Sequence, residues 1–212
     1  TGRGAWLSEW KRGGAKRVVG VDGEYVDQNN LAVEQSEFQA GDLTRPIKTD
    51  KRFDLAQSLE VGEHLPLSAA ATLVDSLTAA SDRVLFSAAV TGQGGENHIN
   101  EQPLSFWQEL FEAKGYRAFD CLRPSMKGNR KIAPWYRYNS ILYVNADGMA
   151  GLPDEVLSAA VPSSQKVENG GDLLWRVRRE LVSRLPRNAV TKIAQVRASV
   201  LAQVYRNRPS GA

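Results

Sequence analysis

Residues 52–90 read RFDLAQSLEVGEHLPLSAAATLVDSLTAASDRVLFSAAV, and this stretch decides the fold class. Its two ends, 52–59 and 82–90, are short runs of β-forming residues. Between them, apolar residues recur with the 3.6-residue period of a helix, at Leu67, Ala70, Leu73, Val74 and Leu77. Pro66 suits the first turn of that helix. A strand, a helix and a second strand in this order predict two strands of one sheet joined by a helical crossover.

The same alternation extends in both directions along the chain. Further β-rich runs lie at 17–22, 37–43, 116–122 and 139–145. A second helix is predicted before the third of these runs, because Leu104, Trp107, Leu110 and Phe111 share one helical face. No clear helix separates the last two runs, which predicts an antiparallel hairpin at the end of the sheet. The chain is therefore expected to be α/β, with a mostly parallel sheet flanked by helices.

Composition narrows the class of protein. With 42% hydrophobic and 24% charged residues, the chain matches ordinary globular proteins. It has no apolar run near the roughly 20 residues that span a bilayer, and a cytoplasmic protein is expected. The single Cys121 cannot form an internal disulfide. Only His64 and His98 are available as imidazole ligands, and we expect no metal site because their spacing matches no ligand motif.

Positive charge is concentrated at the end of the chain. Residues 172–212 carry nine basic and two acidic side chains, 9 − 2 = +7, which leaves about 18 − 22 = −4 for residues 1–171. We therefore predict a domain over 1–150, a linker over 151–171 and a basic helical extension over 172–212. Three roles stay open for this extension, namely a helical pair packed on the domain, a contact with an anionic membrane, or pairing with another subunit.

Glycine and aspartate residues near the start indicate a nucleotide site. Gly2 and Gly4 form a turn that lets backbone amides approach a ligand. Asp22 ends the next strand 20 residues later, a separation typical of a carboxylate that binds ribose hydroxyls. Leu7 stands where a full dinucleotide motif requires a third glycine, which weakens a pyrophosphate reading. Asp42 follows another strand, either as a turn residue or as an acceptor for an adenine amino group.

Both histidines of the chain follow predicted strands. Glu60, Glu63 and His64 crowd the turn after the strand at 52–59, and His98 lies in the glycine-rich loop after the strand at 82–90. Ligands of open α/β sheets bind at the ends of the strands, so these side chains are candidates for catalysis. Imidazole titrates near neutral pH and can take a proton from a nucleophile. Structural roles as turn caps stay open for the same residues.

The order of these motifs resembles the class I S-adenosylmethionine-dependent methyltransferases. The resemblance covers about residues 1 to 145 and depends on GRGAWL, VVGVDG, AGDL, FDLAQSLEVGEHL, VLFSAAV and the final pair of β-rich runs. It implies a Rossmann-like fold and S-adenosylmethionine as cofactor, and within the family the chain is most similar to small-molecule and sugar methyltransferases. The family carries a further strand and glycine before the position of Thr1, and we expect the natural protein to extend upstream by at least that strand.

The resemblance also implies which residues bind the cofactor. Gly2 and Gly4 face its methionine part and Asp22 its ribose, with Gly23 in the same loop. Asp42 and Leu43 face the adenine, and Glu60 and Val61 line the cofactor after the strand at 52–59.

Methyl transfer to a small-molecule hydroxyl is the expected activity. His98 or His64, oriented by Glu63, is expected to deprotonate the hydroxyl while the glycine loop closes over it. The aromatic residues Trp135, Tyr136 and Tyr138 are candidates for stacking on the substrate, or for packing of the hairpin. Two alternatives stay open: a nucleic-acid methyltransferase that uses the basic tail, disfavoured because no proline-aromatic motif follows the strand at 52–59, and a binding module without catalysis.

Overall fold

The structure, a computed structural model, describes residues 1–206. Its six strands are short and follow the β-rich runs of the sequence: β1 Gly20–Asp22, β2 Phe38–Ala40, β3 Ala56–Leu59, β4 Arg83–Ser87, β5 Arg117–Phe119 and β6 Ile141–Val144. Its helices over this part of the chain are α1 Ala5–Arg12, α2 Ala70–Ala80, α3 Leu104–Glu112, α4 Leu122–Met126, α5 Pro134–Asn139, α6 Asp154–Leu157, α7 Leu173–Ser183 and α8 Arg187–Arg206. The predicted α/β class is confirmed.

The strands form two sheets in the described part of the chain. The larger has the order β3-β4-β6-β5, with β3 parallel to β4 and β6 antiparallel to both of its neighbours. The smaller pairs β1 with β2 in parallel. The sequence predicted one sheet, and the structure divides these strands between two. Helix α1 contacts the larger sheet, because the indole of Trp10 donates a hydrogen bond of 2.8 Å to Gln57 Oε1 of β3.

Aromatic residues fill the core between the larger sheet and its helices. Trp107 and Phe111 of α3 are fully buried, as is Phe86 of β4. The ring of Phe111 stacks on that of Tyr143 with centroids 4.0 Å apart. Burying an aromatic side chain contributes on the order of 1.5–3 kcal/mol relative to leaving it exposed. The apolar face that the sequence predicts on this helix is therefore the face that joins it to the sheet.

The connection between β5 and β6 is partly helical, which corrects the prediction of a simple hairpin. The two strands do pair antiparallel, as expected. Between them, however, lie α4 and α5, and α5 begins at Pro134 in the first helical position. Aromatic residues favour strands, and this hid α5 in the sequence. Its helical form is supported by burial of its last turn, where Arg137 and Tyr138 are 8% and 5% exposed.

Residues 151–171 pack against the larger sheet. Ala160 forms an isolated antiparallel bridge with Phe119, and Val167 belongs to the core with 4% exposure. The division into a domain, a linker and an extension stays a prediction, but the segment proposed as linker is held along much of its length. Among the helices of the described residues, none has the length and apolar character to cross a membrane.

The basic extension begins with two helices. Asp172 caps α7 by accepting a hydrogen bond of 2.8 Å from the Trp175 amide, and Trp175 packs on Tyr138. The apolar residues Leu174, Val177 and Leu181 lie on the exposed face of α7. The opposite face contacts the domain. Residues 207–212 of the predicted extension lie outside the described residues.

Candidate functional site

The candidate site lies in the loops that follow β3 and β4. Glu60 comes directly after β3 with a φ of 54°, a left-handed conformation that is uncommon outside glycine. Its amide donates to the Ser87 carbonyl at 3.0 Å, which ties this turn to the end of β4. Such a backbone costs on the order of 1–3 kcal/mol and persists only where its surroundings impose it. Val61 is half-buried and precedes Gly62–His64, which forms one turn of 3₁₀ helix.

Glu63 is a buried acid without a partner. Its side chain is 0% exposed, and neither carboxylate oxygen has a hydrogen-bond partner among the described residues. Gly62 allows this burial, because a Cβ there would lie 2.7 Å from the Trp107 ring. Burial and the nearby Glu60 carboxylate together raise the pKa of Glu63 to about 9. Buried acids of this kind are enriched at functional sites.

A third acid, Glu101, orients His98. Glu101 Oε1 lies 2.8 Å from His98 Nδ1 and accepts a hydrogen bond of 2.7 Å from the Gly94 amide, while Oε2 accepts one of 2.9 Å from the Gly92 amide. Burial alone raises the pKa of Glu101, but the hydrogen bonds from His98 and from these amides outweigh it and lower the pKa. With Nδ1 engaged, Nε2 is the free nitrogen of His98. The sequence predicted that Glu63 orients His98 or His64. In the structure the acid that orients His98 is Glu101.

Backbone hydrogen bonds bring His98 next to His64. The amides of Ile99 and Asn100 both donate to the Glu63 carbonyl, at 2.9 and 3.0 Å. As a result, the two imidazole rings meet edge to face with centroids 5.0 Å apart. Burial and the neighbouring His98 lower the pKa of His64.

Three side chains, which we call the Glu63 cluster, each offer one potential ligand atom: Glu63, His64 and His98. These atoms lie within 4.8 Å of one another. The sequence predicted no metal site, because the spacing of the two histidines matches no ligand motif, and the structure nevertheless brings three potential ligands together. The two histidines are 34 residues apart in the sequence, and only the fold brings them together.

A buried polar chain continues from the Glu63 cluster. Gln93 donates to Glu60 Oε2 at 2.7 Å, and Asn139 of α5 donates to Gln93 Oε1 at 2.8 Å. Burial raises the pKa of Glu60, against the hydrogen bond from Gln93. The sequence analysis missed Gln93, Asn139 and the role of Glu101. Gln93 had a signal, since it is the one polar side chain between the glycines at 92 and 94.

Helix α7 holds the glycine-rich loop in place. Arg178 donates to the Gln93 carbonyl at 2.6 Å, and Arg179 donates to the Thr91 carbonyl at 2.9 Å. A Cβ at Gly92 would lie 2.5 Å from the Arg179 carbonyl oxygen. These glycines therefore allow close packing of the loop under α7, whereas the sequence suggested a loop free to close over substrate.

The glycine turn at the start of the chain is tied to Asp22. Gly2 and Gly4 have φ values of 51° and 84°, and α1 begins directly after them. The Asp22 carboxylate is 5% exposed and accepts hydrogen bonds from the Gly2 amide at 2.6 Å, the Gly23 amide at 2.8 Å and the Tyr25 hydroxyl at 2.5 Å. Burial raises its pKa, but bonds from the Thr1 amino group, Tyr25 and Gly2 outweigh this and lower the pKa to about 2.

The proposed adenine residues lie on the surface. Asp42 is exposed and accepts hydrogen bonds from the amide and hydroxyl of Thr44, at 2.9 and 2.7 Å. This is an Asx-turn, the structural alternative that the sequence left open for Asp42. Leu43 beside it is half-buried.

The three aromatic candidates separate into two environments. Tyr138 is buried, donates to Asp172 at 3.0 Å and packs against Trp175, so its ring serves the attachment of α7. Trp135 and Tyr136 are half-buried and contact each other, and Tyr136 meets Trp6 of α1 edge to face at 5.4 Å. Only this second pair has ring surface available for a ligand.

Comparison with known proteins gave no family assignment. Neither the protein-family models nor the curated proteins include a match to this chain.

Proposed function

We propose that this protein transfers a methyl group from S-adenosylmethionine to a hydroxyl of a small molecule, such as a sugar. The observation that carries the proposal is the Glu63 cluster, in which a buried acid and two facing imidazoles meet at the carboxyl ends of the parallel strands β3 and β4. This is the edge at which open α/β sheets bind their ligands. A cytoplasmic location belongs to the same proposal, supported by the single free cysteine.

The described residues offer a partial fit to the cofactor. Gly2 and Gly4 present a left-handed turn, and a Cβ at Gly2 would meet no atom within 4 Å, so the turn has open space on one side. Asp22 can accept hydrogen bonds from ribose hydroxyls once the Tyr25 hydroxyl leaves Oδ1. Since Tyr25 is 83% exposed, its displacement removes one surface hydrogen bond and little packing.

The Glu63 cluster supplies the group that takes the hydroxyl proton. S-adenosylmethionine carries its methyl group on a sulfonium sulfur. The acceptor oxygen attacks the methyl carbon in line with the carbon–sulfur bond, and the thioether is the leaving group. Holding the acceptor oxygen in line with the methyl group lowers the activation barrier by up to roughly 7–11 kcal/mol, and removing its proton adds about 10²- to 10⁴-fold in rate. His98 has a fixed orientation through Glu101, and His64 faces it, so the proton acceptor lies within this pair.

Calorimetry followed by kinetics tests the proposal. The full chain should bind S-adenosylmethionine and its demethylated product, and labelled methyl transfer to a panel of hydroxyl acceptors should follow. At saturating cofactor, His98→Ala and His64→Ala should each slow transfer, while Glu109→Ala, on the exposed face of α3, should not. Two fully active histidine variants would refute the assignment. Binding without turnover on any acceptor would instead favour a binding module, and preference for a nicotinamide cofactor a dehydrogenase.

A further inference from the structure

The geometry of the Glu63 cluster is close to that of a cation site. Its three ligand atoms, one each from Glu63, His64 and His98, all lie within 4.8 Å of one another. Nitrogen and oxygen ligands bind Zn²⁺ tetrahedrally at about 2.0–2.2 Å, which places two ligand atoms of one ion about 3.3–3.6 Å apart. Rotation of the side chains therefore has to shorten the separations of these atoms by up to about 1.5 Å.

The carboxylate of Glu63 is a second and independent observation. It is completely buried, it is directed into the cluster, and neither of its oxygens has a partner within residues 1–206. A buried polar group without a partner costs free energy that a bound ligand recovers. The neighbouring Glu60 has one orphaned oxygen too. Two acids with unpartnered oxygens indicate that a positive ligand belongs here.

The surroundings of His98 match those of a metal ligand. Histidine ligands almost always give their second ring nitrogen to a carboxylate or carbonyl, which fixes the orientation of the ring. Glu101 does this for His98 at 2.8 Å and is itself held by the Gly92 and Gly94 amides. Gly95 also permits this placement, because a Cβ there would collide with the imidazole.

We propose that Glu63, His64 and His98 bind a divalent transition-metal cation. Two imidazoles and one carboxylate favour Zn²⁺, Mn²⁺, Fe²⁺ or Co²⁺ over Mg²⁺ and Ca²⁺, which prefer oxygen ligands. Three protein ligands leave at least one position of the ion open. On the proposed function, this position would take the acceptor hydroxyl and lower its pKa, and the released proton would pass to solvent water in place of a histidine, because both imidazoles would then be ligands.

Co²⁺ titration of the chelator-treated full chain tests the site directly. We expect one equivalent of Co²⁺ to bind by calorimetry and to give visible absorption bands, and Mg²⁺ to bind at least tenfold more weakly. Glu63→Gln, which keeps the size of the side chain, and His98→Ala should both abolish the bound equivalent. Glu101→Gln should weaken binding by roughly 10- to 100-fold, since Glu101 positions His98 without touching the ion. Glu96→Gln, an exposed acid of the same loop, should bind as the wild type does.

Two results would overturn the site: no binding up to about 1 mM Co²⁺, or binding that survives in both Glu63→Gln and His98→Ala. Circular dichroism of each variant separates loss of a ligand from loss of fold. The two proposals fail differently. One bound equivalent without methyl transfer supports the cation site and contradicts the function, whereas methyl transfer by chelator-treated protein that binds no Co²⁺ contradicts the cation site alone.

Discussion

Replacing Glu101 with glutamine should destabilise the loop that carries His98. The Glu101 carboxylate accepts three hydrogen bonds, from the amides of Gly92 and Gly94 and from His98. The oxygen of a glutamine side chain can keep the bonds from Gly94 and His98. The NH₂ group of that side chain then faces the Gly92 amide, so two donors oppose each other. Hydrogen bonds to charged groups contribute about 1.5–3 kcal/mol each and neutral ones about 0.5–1.5. One lost bond, at about 1.5–3 kcal/mol, and two bonds each weakened by about 1–1.5 kcal/mol therefore predict a loss of about 3.5–6 kcal/mol in the free energy of unfolding.

Equilibrium unfolding in urea measures this loss. The side chain of Glu101 is 18% exposed, so solvent screens it little. The matched control is Glu109→Gln, whose carboxylate pairs with Lys166 and is 59% exposed. Exposed ion pairs contribute about 0–1 kcal/mol, so the control should unfold nearly as the wild type does. If Glu101→Gln lowers the unfolding free energy by less than about 0.5 kcal/mol, or by no more than the control, the role assigned to Glu101 is wrong.

Three further changes test other parts of the structure. Gly92→Ala forces a side chain onto a φ of 79° and against the Arg179 carbonyl, so limited proteolysis should cut α7 faster than in the wild type. Gly62→Ala places a Cβ 2.7 Å from the Trp107 ring, and thermal unfolding should show a loss of about 1–3 kcal/mol, with an unchanged melting temperature as the contrary result. Burial raises the pKa of Asp22, but hydrogen bonds from Tyr25 and the Gly2 amide lower it on folding, so the contribution of these bonds to stability is present above about pH 4 and is lost as the pH falls. Asp22→Asn should remove that part of the acid dependence of stability, and an unchanged profile would contradict it.

The sequence predicted the elements of the fold better than their connections. The periods of α2 and α3 could be recognised because each helix has one buried apolar face, and the runs of β4 and β6 because most of their residues are buried. Helix α5 was not, since its aromatic residues favour strands and its helical form depends on contacts with Trp175 and β4. The division into two sheets could not be read either, because pairing between strands is not encoded in the period of any one of them.

The sequence predicted which residues form the candidate site, but it did not predict how they are arranged. Placing Glu63, His64 and His98 at strand ends followed from chain order alone. Their approach to one another depends on the hydrogen bonds of Ile99 and Asn100 to the Glu63 carbonyl, which no sequence pattern reveals. For the same reason the orienting acid was misassigned: Glu63 is adjacent to His64 in sequence, but Glu101 holds the imidazole of His98.

A crystal structure of the full chain with S-adenosylhomocysteine tests the central claim most directly. We expect ribose hydroxyls on Asp22, the Tyr25 hydroxyl displaced from it, and the thioether sulfur facing His64 and His98. A nucleoside bound away from both Asp22 and the Glu63 cluster, or no bound nucleoside at saturating concentration, would contradict the account.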